Sequence, residues 1–215
     1  MTGNGKMQKA SLNNAQNKLK IQYNISVWPT KKVNFWGVTK CGNTSVKTAL
    51  IGDKKMISSD MYSVNVNAHN PCYARYVNKN TALTNNNRNF TLVRNPYDRC
   101  LSMYKDFVLK RPNHRIKHHN VSRINMTFDD FLQQILTNIE DDVHTRSQTS
   151  FLLHNGVLAV NNIFKLENIK PLESFLDIKL PHLNKTKGNV HLSDTHKVLI
   201  YEKYKKDFDY LGYSR

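Results

Sequence analysis

The sequence lacks the features of a disulfide-stabilised or membrane-spanning protein. Its three cysteines, Cys41, Cys72 and Cys100, are odd in number and do not have the spacing of metal ligands, so we expect neither a disulfide framework nor a zinc site. No stretch is long and apolar enough to cross a bilayer, and the polar segment 1–20 has no apolar core typical of a signal peptide. We therefore expect a soluble, cytoplasmic protein without a membrane partner.

Acidic residues are also scarce. There are 16 of them against 32 lysines and arginines, and the net charge of +16 favours anionic partners such as a nucleotide, an acidic glycan or nucleic acid. No zinc-finger spacing, helix-turn-helix pattern or RNA-binding aromatic signature accompanies this charge, so no stable nucleic-acid partner is expected. A basic nucleic-acid-binding protein still stays open as one alternative. Because acidic clusters and HExxH-like spacings are missing as well, no metal site is expected.

The segment GVTKCGNTSVKTAL, residues 37–50, is close to a phosphate-binding P-loop. The apolar run Val33–Val38 predicts a buried strand before it, and a helix with one apolar face follows the loop. Such a connection directs backbone N–H groups and the positive end of a helix dipole at an anion. An NTPase has lysine directly after the second glycine, whereas here Asn43 follows Gly42 and the lysine is Lys40. A P-loop kinase-like phosphotransferase is therefore only a second alternative.

A second segment with the same organisation is NFTLVRNPYDRCLSMYKDF, residues 89–107. Phe90–Val93 reads as a buried strand, followed by a turn and a helix. Arg94 comes at the carboxyl end of this strand, where open α/β sheets bind ligands, and its guanidinium can make two parallel hydrogen bonds to a phosphate. We expect Ser102 near the start of the following helix, where it would close on the same phosphate.

TKCGNTS followed by VRNPYDRCLSMY resembles the two cofactor signatures of sulfotransferases that use 3′-phosphoadenosine 5′-phosphosulfate (PAPS). The likeness is greatest to the carbohydrate sulfotransferases of the heparan, chondroitin and bacterial types. It continues in HNGVLAVNNIFKLEN (154–168), LPHLNKT (180–186) and YKKDFDYLGY (204–213), and so covers most of the chain from about Val33 onward. The resemblance implies transfer of a sulfonate group from PAPS to a hydroxyl or amine of an acceptor, with 3′-phosphoadenosine 5′-phosphate (PAP) as product and no metal. The acceptor that it leads us to expect is a carbohydrate.

The resemblance also implies roles for individual residues. Lys40 resembles the lysine that contacts both the transferring sulfonate and the leaving phosphate. The loop around the 5′-phosphosulfate would consist of Cys41, Gly42, Asn43, Thr44 and Ser45. Arg94 and Ser102 resemble the pair that holds the 3′-phosphate. A late loop that covers the nucleotide would contain Asn184, Lys185 and Thr186.

The acceptor hydroxyl needs a base, and histidine suits this task because its ordinary pKa is about 6.5. His69 resembles a histidine found between the two signatures in related enzymes, and His144 is the second candidate. Arg146 and Gln148 are expected to contact the acceptor. Glu167 is a rival carboxylate, for which an ion pair at a strand end is the simpler role.

Alternating strands and helices imply an α/β protein whose central, mainly parallel sheet is covered by helices on both faces, as in the P-loop-like sulfotransferase fold. We expect a polar extension at residues 1–30 and a single domain at 31–215. The basic segment 111–126 either contacts an acidic acceptor or is solvated. Other expected elements are a strand at Ile163–Leu166, a helix at Pro171–Leu176, a helix capped by Thr127, and a last helix capped by Ser193 with Val198, Tyr201, Tyr204 and Phe208 on one face.

Overall fold

A computed structural model of the protein describes residues 25–52, 74–110, 125–137, 143–181, 183 and 190–215. At its centre is a five-stranded sheet with the strand order β3-β1-β2-β4-β7. Its strands are β1 (Ile25–Trp28), β2 (Val33–Trp36), β3 (Arg75–Val77), β4 (Arg88–Val93) and β7 (Asn162–Lys165). A separate two-stranded hairpin consists of β5 (Leu153–His154) and β6 (Val157–Leu158).

The helices follow the strands in the alternation that the sequence predicts. They are α1 (Asn43–Ile51), α2 (Lys79–Thr84), α3 (Pro96–Tyr104), α4 (Phe128–Thr137), α5 (Gln148–Leu152), α6 (Lys170–Leu176) and α7 (Asp194–Leu211). A π-helical turn, Lys105–Lys110, continues α3. None of the helices in the described ranges has the length and hydrophobicity needed to cross a membrane.

The prediction of a mainly parallel sheet is wrong, because the sheet is mixed. β4 pairs in parallel with β2 and with β7, whereas β1 pairs antiparallel with both β2 and β3. The physical reason is the connection between β1 and β2, a single 3₁₀ turn at Pro29–Lys31. Such a short connection reverses the chain, since parallel neighbours need a crossover of a dozen or more residues.

The sheet also begins earlier than expected. All four residues of β1 are buried, and β1 lies within the segment 1–30 that the sequence analysis assigned to a polar extension. The short apolar run of β1 is preceded by a long polar stretch, which obscured the strand. The last part of the predicted extension therefore belongs to the folded domain.

Helices cover both faces of the sheet, as predicted. Successive side chains of a strand point to opposite faces, and Phe35 and Trp36 of β2 accordingly belong to different core clusters. One cluster combines Phe35 with buried residues of α1 and α6, including Leu50 and Leu172. The other combines Trp36 with residues of α5 and α7, including Leu211. The carboxyl ends of the parallel strands thus lie between two packed layers.

A third cluster joins α3, its π-helical turn, α4 and α7. Its aromatic members are Tyr104, Phe107, Phe128, Phe131, Tyr204 and Phe208.

Both predicted caps are confirmed: Ser193 Oγ accepts a hydrogen bond from His196 N at 3.2 Å, and Thr127 Oγ1 accepts one from Asp130 N, also at 3.2 Å. Of the residues expected on one face of α7, Tyr204 and Phe208 are buried, whereas 45% of Val198 is exposed. The backbone of α7 is non-helical at Tyr204 (φ −109°, ψ 23°), which kinks the helix. The buried residues before and after this kink therefore do not form one continuous helical face.

Candidate functional site

The loop between β2 and α1 has a backbone that only certain residues adopt easily. Lys40 and Gly42 both have left-handed conformations, with φ of 65° and 79°. A Cβ atom added to Gly42 would lie 3.2 Å from Leu166 Cδ1 and 3.3 Å from Leu92 Cδ2. Glycine is therefore required at position 42 both for its conformational freedom and for the close approach of the loop to the sheet.

The N-terminus of α1 has the properties of an anion site. Gly42 is the N-cap residue and provides no side-chain hydrogen bond, and the first turn contains no acidic residue. The first intrahelical hydrogen bond runs from Val46 N to Gly42 O at 3.1 Å. The N–H groups of the preceding first-turn residues, Asn43, Thr44 and Ser45, point away from the helix, where the helix dipole favours negative charge.

Cys41, in the middle of this loop, faces the protein interior. Its side chain is completely buried and donates a hydrogen bond to Gln148 Oε1 at 3.1 Å. Burial raises the pKa of the thiol to about 12. The predicted contact between Cys41 and the cofactor is thus restricted to its backbone, because the side chain is part of the core.

The lysine of the loop has an acidic partner that the sequence analysis missed. Lys40 Nζ lies 2.5 Å from Asp106 Oδ2 and 5.1 Å from the centroid of the Phe107 ring. The exposed fractions of the Lys40 and Asp106 side chains are 15% and 13%, so this ion pair is mostly shielded from water. Asp106 and Phe107 belong to the π-helical turn, a local geometry frequently found at functional sites.

His144 lies next to this pair. Its ring packs edge-on against Phe107, with centroids 5.2 Å apart and an interplanar angle of 80°. The second candidate for the base is therefore separated from Lys40 by a single aromatic ring. His69, the first candidate, and the late-loop residues Asn184, Lys185 and Thr186 lie outside the described residues, as does most of segment 111–126.

The second predicted segment follows β4 directly. Arg94 N donates to Gln148 Oε1 at 2.9 Å, and Arg94 O accepts from Gln148 Nε2 at 2.7 Å. Asn95 N donates to Glu167 Oε1 at 2.7 Å, and Asn95 Oδ1 caps α3 by accepting from Tyr97 N at 2.9 Å. The backbone around Arg94 is therefore held by internal partners, and the half-buried Arg94 side chain is what this segment can offer to a ligand.

Two of the expected side-chain positions differ in the structure. Ser102 lies in the second half of α3 instead of near its start, because α3 begins at Pro96. The Glu167 carboxylate accepts hydrogen bonds from Asn95 N and, at 3.1 Å, from Tyr213 OH, and within the described part of the chain it forms no ion pair. Glu167 is thus a structural partner of the Arg94 segment.

The predicted contact of Gln148 with an acceptor does not fit its surroundings. The side chain is 0% exposed, and its hydrogen bonds go to Arg94 and Cys41. Arg146 is also buried, with 8% of it exposed. In the sequence, Arg146 and Gln148 follow a histidine in a polar segment. Such a pattern does not distinguish buried polar side chains from exposed ones.

Two further buried charges hold the site together and were not predicted. Arg99, 1% exposed, donates from Nε to Thr39 O at 3.1 Å and from a terminal nitrogen to His144 O at 3.0 Å. Asp207, 0% exposed, accepts from the backbone N–H groups of Gln148 and Thr149, both at 2.8 Å. Burial raises the pKa of the Asp207 carboxyl, and the nearby Arg99 opposes this shift. Because charged residues are rarely fully buried, no feature of the sequence indicated that the side chains of Arg99 and Asp207 lie in the interior.

The described part of the chain contains no group of three or more His, Cys, Asp or Glu side chains that could hold a metal ion.

The model of the sulfotransferase family matches residues 23–214. The chain belongs to the sulfotransferase family. No curated protein and no solved structure gives a significant match. The resemblance drawn from the sequence is thereby confirmed at the level of the family, with which the carbohydrate branch is consistent.

Both signature segments of this sulfotransferase lie within the matched residues, at the carboxyl ends of the adjacent parallel strands β2 and β4. This is the edge of an open α/β sheet at which ligands bind. Family membership identifies the protein as a transferase of sulfonate groups. It argues against the two alternatives, a P-loop kinase-like phosphotransferase and a nucleic-acid-binding protein.

Proposed function

We propose that this sulfotransferase transfers a sulfonate group from PAPS to a hydroxyl or amine of a carbohydrate acceptor and releases PAP. The observation that carries the proposal is the adjacency of two anion-binding segments on neighbouring parallel strands. One is the uncapped N-terminus of α1 with Lys40, and the other is the Arg94 segment. Two separate cationic regions suit a nucleotide that has anionic groups at both its 5′ and 3′ positions.

The residues present fit this donor chemically. The first turn of α1 contains no acidic side chain that would repel an anion, and Gly42 leaves its N–H groups uncapped. Lys40 with the N–H groups of Asn43, Thr44 and Ser45 would hold the 5′-phosphosulfate. Arg94 and Ser102 would hold the 3′-phosphate, and Asn184, Lys185 and Thr186 would cover the nucleotide.

When bound, PAPS supplies an activated sulfonate whose leaving group is a phosphate. Negative charge then grows on the departing oxygen, as in phosphoryl transfer. Lys40 and the loop N–H groups are suited to stabilise that charge, and one preorganised donor of this kind is typically worth about 2.7–4 kcal/mol. No step of this mechanism needs a metal ion, so we propose metal-independent transfer.

The ion pair with Asp106 affects how Lys40 would act. Because Lys40 Nζ already contacts a carboxylate, an incoming anion must share the ammonium group with Asp106 or replace it. An ammonium group has three donors, so sharing is stereochemically possible. Asp106 would therefore weaken donor binding while keeping the ammonium group close to the loop.

For the base we propose His69, with His144 as the alternative. The position of His144 next to Phe107, which in turn contacts Lys40, supports His144 as that alternative. A base of this kind contributes typically 10²–10⁴-fold to the rate.

A glycan acceptor is proposed because of the family branch and the net charge of +16, which favours an acidic polysaccharide.

Calorimetric titration with PAP, adenosine 5′-monophosphate (AMP) and ATP tests the proposed donor site. We expect PAP to bind most tightly, because only PAP can occupy both cationic regions. Addition of a metal chelator should leave PAP binding unchanged. Equal binding of all three nucleotides, or no binding of PAP together with DNA binding that weakens steeply with salt, would contradict the proposal.

A further inference from the structure

One buried side chain joins the two anion-binding segments. Gln148 Oε1 accepts hydrogen bonds from Arg94 N at 2.9 Å and from Cys41 Sγ at 3.1 Å. Gln148 Nε2 donates to Arg94 O at 2.7 Å. The side chain is 0% exposed, so water does not compete for these contacts. A single amide group therefore connects the loop of Lys40 with the residue that carries the second cationic group.

The contacts fix the backbone of Arg94 in particular. Both of its main-chain polar groups are bound to the same planar carboxamide, which restricts the orientation of the peptide units on either side. The direction in which the Arg94 side chain leaves the backbone is restricted with them. On the other side, Cys41 is flanked by Lys40 and Gly42, the two left-handed residues that shape the loop.

Gln148 is itself held from behind. Its backbone N–H and that of Thr149 donate to the two carboxylate oxygens of Asp207, both at 2.8 Å, and Thr149 Oγ1 donates to Asp207 Oδ1 at 2.9 Å. Asp207 is 0% exposed and belongs to α7. The amide is therefore anchored to a helix that carries neither anion-binding segment, which makes it a fixed reference for both.

We propose that Gln148 is a positioning residue that sets the separation between the loop of Lys40 and Arg94, and thereby the selectivity for nucleotides with phosphates at both the 5′ and 3′ positions. The inference rests on the proposed function, because it concerns the donor site. A nucleotide has a fixed distance between these phosphates, so only a fixed distance between the two protein segments allows both to be bound at full strength.

A glutamine that merely stabilises the core would behave differently. Removal of its hydrogen bonds would lower the melting temperature, but nucleotides with one or two phosphate positions would be affected equally. If Gln148 positions the segments, its removal lowers the affinity for PAP more than the affinity for AMP. The ratio of the two dissociation constants is therefore the informative quantity.

The experiment measures this ratio by calorimetry for the wild type and for Gln148→Asn and Gln148→Leu. Gln148→Asn keeps the amide but shortens its reach, and it serves if the leucine variant does not fold. Thr91→Val is the matched control, since Thr91 is also 0% exposed and its hydroxyl donates to Trp36 O at 2.7 Å within the sheet. We expect the preference for PAP over AMP to fall about tenfold in the Gln148 variants, equivalent to about 1.4 kcal/mol.

The control should lose melting temperature but keep the wild-type preference. An unchanged preference in a folded Gln148→Asn protein would overturn the inference and leave the proposed function intact. A wild-type protein that binds PAP and AMP equally would overturn both, and this outcome is recognised without any variant.

Discussion

The two segments proposed to bind anions offer a ligand different parts of the chain. At the N-terminus of α1, the N-cap residue provides no side-chain bond, so backbone N–H groups face outward beside Lys40. Around Arg94, by contrast, the backbone groups are bound by Gln148 and Glu167, and the side chain is what remains. Substitutions should therefore affect the two segments unequally: the first retains most of its donors whatever its side chains are, while the second depends on one arginine.

The largest effect is expected for Lys40→Ala. Removal of the cationic side chain that lies in the loop before α1 should reduce sulfonate transfer about 10²–10³-fold, because a preorganised donor to the leaving oxygen is lost. PAP binding should persist through the backbone N–H groups. Transfer from PAPS and PAP affinity are measured side by side, with the exposed Lys31→Ala as control. Near-wild-type transfer by Lys40→Ala would contradict the proposed mechanism.

Arg94→Ala should lower the affinity for PAP, whereas Lys40→Ala should mainly lower the rate of sulfonate transfer. Hydrogen bonds to charged groups contribute about 1.5–3 kcal/mol, so PAP affinity should fall roughly ten- to a hundredfold. AMP affinity should change little, because AMP has no 3′-phosphate. Calorimetry with both nucleotides checks this, and Arg88→Ala, an exposed arginine at the start of the same strand, is the control. Equal losses for PAP and AMP would mean that Arg94 does not recognise the 3′-phosphate.

A smaller effect of opposite sign is expected for Asp106→Asn. The ammonium group of Lys40 would no longer be shared with the Asp106 carboxylate, and one negative charge near the anion would be removed. PAP should bind several-fold more tightly, by about 1 kcal/mol, which is the interaction energy of two unit charges about 4 Å apart in water. Asp209→Asn removes an exposed carboxylate of the same charge and should leave the affinity unchanged. Weaker binding in Asp106→Asn would show that Asp106 orients Lys40 for the ligand instead of competing with it.

The smallest effect is expected at Cys41. Because its thiol is buried and its pKa is raised from an ordinary value of 9.0 to about 12, the reactive thiolate is scarcer at pH 8 than for an exposed cysteine. A Cys72→Ser protein treated with iodoacetamide at pH 8 should stay unlabelled while folded and retain its PAP affinity. Unfolding in guanidinium should expose the thiol to labelling. Rapid labelling of Cys41 in the folded protein would refute its assignment to the core.

The elements around the site were predictable because each has a strong local pattern. The apolar runs of β2 and β4 are each followed by a loop and an amphipathic helix, and these strands and helices lie within a few residues of their predicted bounds. The caps at Ser193 and Thr127 are local as well, since their hydrogen bonds join residues three apart. Local chemistry decides such features, and a sequence displays it directly.

What was missed depends on contacts between distant residues. Gln148 and Arg94 are 54 positions apart, and Lys40 and Asp106 are 66 apart, so no local pattern indicates that they meet. Arg99 and Asp207 are buried charges, which the general preference of charged residues for the surface hides. The antiparallel position of β1 likewise follows from its short connection to β2 and from its pairing with β3. The sequence around β3 has no clear helical or strand periodicity, so this pairing was not predicted.

The central claim is that two differently built segments bind the two phosphate positions of one nucleotide. A crystal structure of the protein with PAP tests it most directly. We expect the 5′-phosphate at the N-terminus of α1 within reach of Lys40, the 3′-phosphate on Arg94, and an undisturbed Gln148 between them. PAP bound elsewhere, or with its 3′-phosphate away from Arg94, would contradict the account.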